Sequence, residues 1–330
     1  MTIEPFIVLC PGQGAQAVGM AKAWAEASPE ARAVIARADA AVGEVWAQPE
    51  TSPGAELSGV RLSTLMFEGP EAALSRTDIS QPAIYTASVA SYHGWCAASG
   101  GGGVEPESAP MVAAAGLSLG EYTALHLAGV FTFEDGLRLV ALRGRAMQDA
   151  AEAVDSSMVA LIGADEASAE QVCAAAKGDD VLVCANFNAP GQVVISGAAS
   201  ACDRAEEAAA GMGLRATRLQ VAGAFHSPLM LPAAERLQHA LAATELSRPR
   251  CPVMSNVTGE AHRGPDEIRR GLFDQLTSPV RWATCCERLI ADHGGGSGAA
   301  LHELAPGKTL SGMMRRIDRG ARVTGHDSPE

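Results

Sequence analysis

The chain has 330 residues, of which 47% are apolar and 19% are charged, so it can bury the core of one large domain or of two ordinary ones. Aromatic residues make up only 4%, which leaves Ala, Val, Leu and Met to fill that core. The formal net charge of −13 argues against nucleic acid as a partner, because an acidic surface and a phosphate backbone repel each other.

The eight cysteines and the N-terminal residues bear on the compartment. The cysteines show no C-x-x-C pair and no ligand-like spacing to histidine, so we interpret them as small buried side chains. No apolar run reaches the roughly 20 residues that a membrane span requires. The N-terminus has no basic region followed by an apolar stretch, as a secretory signal would. We therefore expect a cytoplasmic protein that is not in a membrane.

Short apolar runs alternate with helical patterns in the first half of the chain. Phe6 to Cys10 and Met111 to Ala115 are predicted strands, each of which ends at a glycine-containing turn. Helices are predicted over 20–45, 80–96, 121–128 and 134–153. Gln81-Pro82 is expected in the first turn of the second of these, where proline is tolerated. Segments 48–59 and 99–110 are predicted loops. This alternation is typical of an open α/β sheet.

The pattern changes between residues 156 and 221. Strands are predicted at 158–162, 181–185, 193–196 and 215–221, with helices at 167–176 and 200–210. The order β-α-β-β-α-β is that of the ferredoxin-like unit. We therefore predict a small ferredoxin-like subdomain at 156–221, inserted into a large α/β subdomain formed by 1–155 and 222–330. The polar tail from Gly325 to Glu330 is predicted to be disordered.

Gly116-Leu117-Ser118-Leu119-Gly120 fits the pattern G-x-S-x-G after the second predicted strand. Small residues are needed there because the serine sits on a sharp strand-to-helix turn, which exposes its hydroxyl and aims the next N–H at a developing oxyanion. The motif indicates an α/β-hydrolase-like large subdomain with a parallel sheet. Taken alone, it is equally compatible with an ordinary turn serine that caps a helix.

Six further motifs lie along the chain. They are Pro11-Gly12-Gln13-Gly14, Asn186-Phe187-Asn188-Ala189-Pro190-Gly191, Phe225-His226-Ser227-Pro228, Ser255-Asn256-Val257-Thr258-Gly259, Gln275-Leu276-Thr277-Ser278-Pro279 and Glu303-Leu304-Ala305-Pro306-Gly307-Lys308. With the serine motif, this series resembles the malonyl-CoA:acyl carrier protein transacylases of fatty acid synthesis and the acyltransferase domains of polyketide synthases. The resemblance runs from about residue 5 to about residue 320, and motifs in this order are highly specific.

The resemblance implies a ping-pong acyl transfer with Ser118 as catalytic nucleophile and His226 as its general base. The backbone N–H groups of Gln13 and Leu119 would form the oxyanion hole. The family uses no catalytic carboxylate, and a backbone carbonyl at the position of Gln275 orients the histidine. The expected partners are malonyl-CoA and an acyl carrier protein, and no cofactor or metal is implied.

Three residues are expected to shape the acyl site. Arg143 matches the arginine that pairs with the malonate carboxylate, a task suited to a bidentate guanidinium. Helical spacing alone does not separate it from Arg145, because the two flank the apolar face of their helix. Leu117 stands where the family usually has histidine, which puts acyl affinity or selectivity in question. Phe225 resembles the form that accompanies malonyl selection, since its ring would crowd an extra methyl group.

Two other functions remain open from the sequence. A thioesterase or editing acyl hydrolase would use the same serine chemistry, and transfer wins only where water is excluded. Arg143 favours transfer, because a hydrolase of neutral acyl chains gains nothing from a buried cation. A non-catalytic docking paralogue is favoured by Leu117 alone.

A local basic surface is expected to dock the carrier protein, because acyl carrier proteins as a class are acidic. The densest basic stretch of the chain contains Lys308, Arg315, Arg316, Arg319 and Arg322. If this stretch is helical, Arg315 and Arg319 share one face. The alternative is a solvated helix whose arginines only keep the protein soluble.

Overall fold

The chain folds around two separate β-sheets in a computed structural model that describes residues 4–57, 59–99, 106–294 and 298–329. The strands are β1 Phe6–Cys10, β2 Met111–Gly116, β3 Ser156–Ile162, β4 Leu182–Ala189, β5 Gln192–Ala198, β6 Arg215–Arg218, β7 Ala300–Leu304 and β8 Val323–His326. The helices are α1 Lys22–Ala27, α2 Pro29–Trp46, α3 Leu62–Glu68, α4 Glu71–Leu74, α5 Thr77–Ala98, α6 Gly120–Leu127, α7 Phe133–Ala153, α8 Glu166–Ala176, α9 Ala199–Gly211, α10 Leu231–Ala243, α11 Pro265–Asp274, α12 Trp282–Leu289 and α13 Thr309–Ile317. Within the described ranges, no helix is long and apolar enough to span a bilayer.

The larger sheet is parallel, with strand order β2-β1-β7-β8. Its central strand β1 is buried along its whole length, as expected when helices cover both faces of a parallel sheet. Phe6 and Val8 pack into one apolar core, and Ile7 and Leu9 pack into another on the opposite face. The predicted large α/β subdomain with a parallel sheet is therefore confirmed.

The smaller sheet is antiparallel, with strand order β4-β5-β3-β6. Together with α8 and α9 it follows the chain order β-α-β-β-α-β that the sequence predicted, which confirms the ferredoxin-like unit. One face of this sheet packs on its two helices. Met158 and Val194 on the other face join the core of the larger part. The boundaries 156–221, with 1–155 and 222–330 as the second subdomain, stay a prediction.

Several predicted element bounds are wrong for local reasons. The single helix expected over 20–45 is two helices, because the Ser28 hydroxyl accepts the Ala31 N–H at 3.2 Å and Pro29 starts a new helix. The helix expected from residue 80 begins earlier, at Thr77, so that Pro82 lies inside it. Strands β4 and β5 extend to a tight hairpin, because Asn186 and Phe187 pair with β5 instead of forming a loop. Strand β6 ends at Arg218, three residues before the predicted end.

The C-terminal tail is ordered where the sequence predicted disorder. Strand β8 pairs in parallel with β7, and it contains Gly325 and His326. The His326 ring packs on Trp95 with centroids 4.5 Å apart, and its Nε2 lies 2.7 Å from His302 Nδ1. Trp24 Nε1 donates to the His326 carbonyl at 2.8 Å. The polarity of the segment predicted disorder, but tertiary contacts with aromatic residues hold the segment in one conformation. Glu330, the last residue of that predicted tail, lies outside the described residues.

The turn between β2 and α6 lies directly against the end of β1. A Cβ added to Gly120 would sit 2.1 Å from the Cys10 carbonyl oxygen, and one added to Gly116 would sit 1.8 Å from the Gly120 carbonyl carbon. Both neighbours are backbone atoms, which cannot move aside cheaply. Glycine is therefore required at Gly120 by the close approach of the end of β1, and at Gly116 by the tightness of the turn itself.

We predict that Gly120→Ala destabilises the protein by about 1–3 kcal/mol or more, because overpacking against backbone has no cheap relaxation. Urea unfolding followed by circular dichroism measures this loss. Gly43→Ala is the matched control: Gly43 lies inside α2 with no atom within 4 Å of the added Cβ. The control should be stabilised by about 0.5–1 kcal/mol, because alanine loses less entropy in a helix. Equal stability of Gly120→Ala and the natural protein would contradict this account.

Candidate active site

Ser118 occupies a strained turn at the carboxyl end of β2. Its φ is 52°, in the left-handed region that non-glycine residues rarely adopt. Asn256 holds the turn from outside: its Oδ1 accepts the Ser118 N–H at 2.6 Å, and its Nδ2 donates to the Gly116 carbonyl at 2.8 Å. The side chain of one buried asparagine thus satisfies the N–H of the serine and the carbonyl two residues before it.

His226 lies beside Ser118 and is buried. Ser118 Oγ is 2.8 Å from His226 Nε2, and His226 Nδ1 is 2.8 Å from the Gln275 carbonyl oxygen. A carbonyl only accepts, so Nδ1 carries the proton and Nε2 is free to accept the serine proton. Burial, with the charge of Arg143 as second cause, lowers the pKa of His226 to about 4. The imidazole is therefore neutral at neutral pH.

Arg143 is buried at the back of the site. Its exposed fraction is 1%, and its guanidinium donates to Gln81 Oε1 at 2.7 Å, to Gln275 Oε1 at 2.9 Å and to Ser118 Oγ at 3.0 Å. Arg145 points elsewhere and forms ion pairs with Asp78 and Asp149. The structure thus separates two arginines that helical spacing left equivalent.

The loop after β1 packs against the serine turn. A Cβ on Gly12 would meet the Leu117 carbonyl oxygen at 2.3 Å, and the Leu117 N–H donates to the Cys10 carbonyl at 3.0 Å. Gln13, the next residue of this loop, lines the same cavity as Ser118, and Leu119 follows the serine directly in the chain. The role of their N–H groups as an oxyanion hole stays a prediction.

A cavity of about 350 Å³ opens in front of Ser118 and His226. Leu117 and Phe225, two of the three residues expected to shape the acyl site, form part of its wall. The small sheet contributes Asn188 and Val194, and α13 contributes Thr309 and Met313. The cavity therefore lies between the two sheets. Among the described residues, no group of three His, Cys, Asp or Glu side chains is arranged to hold a metal ion.

Four buried residues near the site were not assigned a role from the sequence. They are Gln81, Glu121, Asn256 and His262. Asn256 lies inside one of the motifs and Glu121 directly follows the serine motif, but the motif residues do not indicate what either side chain contacts. The only available signal is that Gln81 and Glu121 are polar residues in helices that also contain many apolar ones, since buried polar groups require partners.

Comparison with known proteins agrees with this geometry. The acyl transferase domain family matches residues 7–301. The malonyl CoA-acyl carrier protein transacylase of Escherichia coli strain K12 is 38% identical over 317 residues, covering 94% of this chain and 92% of that protein. The Bacillus subtilis strain 168 protein of the same name is 36% identical over 324 residues, covering 98% and 93%.

Solved structures show the same similarity. The malonyl-CoA:acyl carrier protein transacylase of Xanthomonas oryzae superposes with a TM-score of 0.85 at 39% identity, covering 100% of this chain and 96% of that one. A malonyl-transacylase in complex with its type II polyketide synthase acyl carrier protein gives a TM-score of 0.85 at 34% identity, covering 99% and 97%. The chain therefore belongs to the acyl transferase family, in which the relatives named here are malonyl-CoA:acyl carrier protein transacylases.

Proposed function

We propose that this protein moves a malonyl group from coenzyme A to the phosphopantetheine thiol of an acyl carrier protein, through an acyl-enzyme on Ser118. The observation that carries the proposal is the buried guanidinium of Arg143 within hydrogen-bond distance of the serine hydroxyl. A cation beside a nucleophile suits an acyl group that ends in a carboxylate. The identity of the substrate and of the acceptor is proposed from the names of the relatives given above.

The first half-reaction uses Ser118 and His226. Ser118 Oγ attacks the thioester carbonyl while His226 Nε2 takes the hydroxyl proton, and the Gln275 carbonyl stabilises the resulting imidazolium. The N–H groups of Gln13 and Leu119 donate hydrogen bonds to the developing oxyanion. The intermediate then expels the thiolate of coenzyme A, which takes the proton from His226.

The second half-reaction reverses these roles. The carrier thiol gives its proton to His226 Nε2 and attacks the ester carbonyl, after which Ser118 Oγ leaves and recovers the proton. Arg143 pairs with the malonyl carboxylate in both halves and holds the acyl group in place. A thioesterase or editing hydrolase is the alternative, in which water takes the place of the carrier thiol.

Intact-protein mass spectrometry after incubation with malonyl-CoA tests the proposal. We expect a malonyl adduct on the natural protein and none on Ser118→Ala. His226→Ala should acylate roughly 10²- to 10⁴-fold more slowly, as loss of a general base does.

Methylmalonyl-CoA should react more slowly than malonyl-CoA, because Phe225 crowds the added methyl group and such a clash raises the activation free energy by ~1–3 kcal/mol.

The pH profile provides the control for the role of His226. A base with a pKa of about 4 stays unprotonated as the pH falls from neutral to about that value, so the acylation rate should stay constant over this range.

A malonyl adduct that persists on Ser118→Ala would rule out Ser118 as the nucleophile. Rapid loss of the adduct to water with a carrier protein present would favour the hydrolase.

Arg143→Ala should reduce malonyl transfer far more than acetyl transfer. A charged hydrogen bond in a closed site contributes ~1.5–3 kcal/mol, which corresponds to roughly a 10- to 150-fold loss of selectivity. The ratio of kcat/KM for malonyl-CoA and acetyl-CoA measures this change. Arg145→Ala is the matched control on the same helix and should leave the ratio unchanged. An equal fall for both substrates would make Arg143 structural.

The carrier protein is proposed to dock beside α13. Thr309 and Met313 of this helix line the cavity, and exposed arginines follow on the same segment. They are Arg315, Arg316, Arg319 and Arg322. An acidic protein overall can meet an acidic partner through such a local patch, and this attraction acts mainly on association.

Reversal of Arg315 and Arg316 to Glu should therefore raise the KM for the carrier protein, more at low salt than at high salt. Acylation by malonyl-CoA, and transfer to a free pantetheine thiol, should hardly change. Steady-state kinetics at two ionic strengths measure both effects. Unaltered carrier kinetics at low salt would place the docking surface elsewhere.

A cytoplasmic location remains part of the proposal. All eight cysteines are buried and free. Free thiols are expected in a reducing compartment, which supports the cytoplasm.

A further inference from the structure

Arg143 is a buried cation whose direct partners are all neutral. Its hydrogen-bond acceptors are two side-chain amide oxygens, of Gln81 and Gln275, and the hydroxyl of Ser118. The guanidinium also lies 5.5 Å from the centroid of the Tyr122 ring. None of the ion pairs within the described ranges includes Arg143. An uncompensated charge in the interior is costly, so the negative charge that offsets it must lie further away.

Glu121 is the carboxylate one amide away. It is fully buried, and its Oε2 accepts Gln275 Nε2 at 2.6 Å and the Asn256 N–H at 3.1 Å. Its Oε1 lies 2.7 Å from His262 Nε2. Because a carboxylate only accepts, Gln275 must turn its amide nitrogen toward Glu121 and its amide oxygen toward Arg143. Glu121, Gln275 and Arg143 therefore form a hydrogen-bonded relay in which the orientation of the Gln275 amide is fixed.

We propose that Glu121 is the remote counter-charge of Arg143, coupled to it through the Gln275 amide, and that this spacing leaves the guanidinium with only neutral hydrogen-bond partners, which a substrate carboxylate can replace. A carboxylate in direct contact with Arg143 would form a bidentate pair and compete with the substrate. A counter-charge one amide away compensates the cation without covering it. The inference deepens the proposed function, on which it rests for the identity of the substrate carboxylate.

The electrostatics of Arg143 agree with this assignment. Burial lowers the pKa of Arg143, whereas Tyr122 and Glu121 act to raise it. Glu121 is thus a positioning residue that acts through Gln275, and it does not touch the reacting atoms.

Glu121→Gln removes the charge and keeps the shape. The new amide can direct its oxygen at the two donors from Gln275 and Asn256, and its nitrogen at His262, whose ring nitrogen can accept in the other tautomer. The relay geometry is then retained, and only the negative charge is lost. Glu303→Gln is the matched control: Glu303 is equally buried but accepts the N–H groups at the start of α13, at Leu310 and Ser311.

A double-mutant cycle on stability is the first test. Glu121→Gln should lower the Tm by roughly 3–8 °C, and by half of that or less once Arg143→Met has removed the cation it compensates. Glu303→Gln should cost the same in both backgrounds. Equal cost of Glu121→Gln in both backgrounds would overturn the inference. If Glu121→Gln does not fold, the double variant should restore soluble protein; failure of the double variant while Arg143→Met folds would also overturn it.

Malonate binding, measured by thermal shift with acetate as control, is the second test. With Glu121 neutral, malonate becomes the nearest counter-charge, so its half-saturating concentration should fall roughly 3- to 30-fold relative to the natural protein. Weaker malonate binding by Glu121→Gln would overturn the inference. A natural protein that does not bind malonate would contradict the proposed carboxylate site, and the stability cycle would still decide the pairing of Glu121 with Arg143.

Discussion

The peptide unit of Ser118 is the constraint on which the rest of the site depends. Its φ of 52° is unfavourable for serine, so surrounding contacts must hold it. Asn256 accepts its N–H at 2.6 Å, and Gln275 Nε2 donates to its carbonyl at 3.1 Å. Glu121 accepts from both of these partners. One buried carboxylate, that of Glu121, therefore orients both residues whose hydrogen bonds keep Ser118 in its strained conformation.

The same arrangement explains how a serine–histidine pair can function without a carboxylate as its third member. In a triad the carboxylate fixes the tautomer of the base and stabilises its cation. Here the carbonyl of Gln275 fixes the tautomer, at 2.8 Å from His226 Nδ1. Gln275 thus has two roles, because its backbone orients the base while its side chain orients Arg143. In the proposed mechanism, one residue therefore orients both the group that would bind the acyl carboxylate and the group that would transfer the proton.

The sequence predicted the fold and the pair of residues that the structure brings together, Ser118 and His226, but it did not predict the contacts that position them. Ser118 and His226 are 108 residues apart, and motif order alone indicated that the fold brings them together. Arg143 could not be separated from Arg145 by periodicity, because the difference lies in what each helix flank faces. Glu121 gave no signal of its role, since a hydrogen-bond relay through Gln275 depends on tertiary packing. The predicted disorder of the C-terminal tail is wrong for the same reason. The polarity of the segment predicted disorder, but the packing of the His326 ring on Trp95 holds it in place.

Leu117 is the departure from the family pattern with the clearest physical consequence. It lines the cavity beside Ser118, and it also packs against the second apolar core. An apolar side chain there cannot hydrogen-bond to an acyl carboxylate, so under the proposed function Arg143 would carry more of that interaction than it would beside a histidine. The apolar side chains of Leu117 and Phe225 lower the local dielectric, which would strengthen a charged contact in the cavity. We therefore expect acyl selectivity in this protein to depend closely on the charge balance between Arg143 and Glu121.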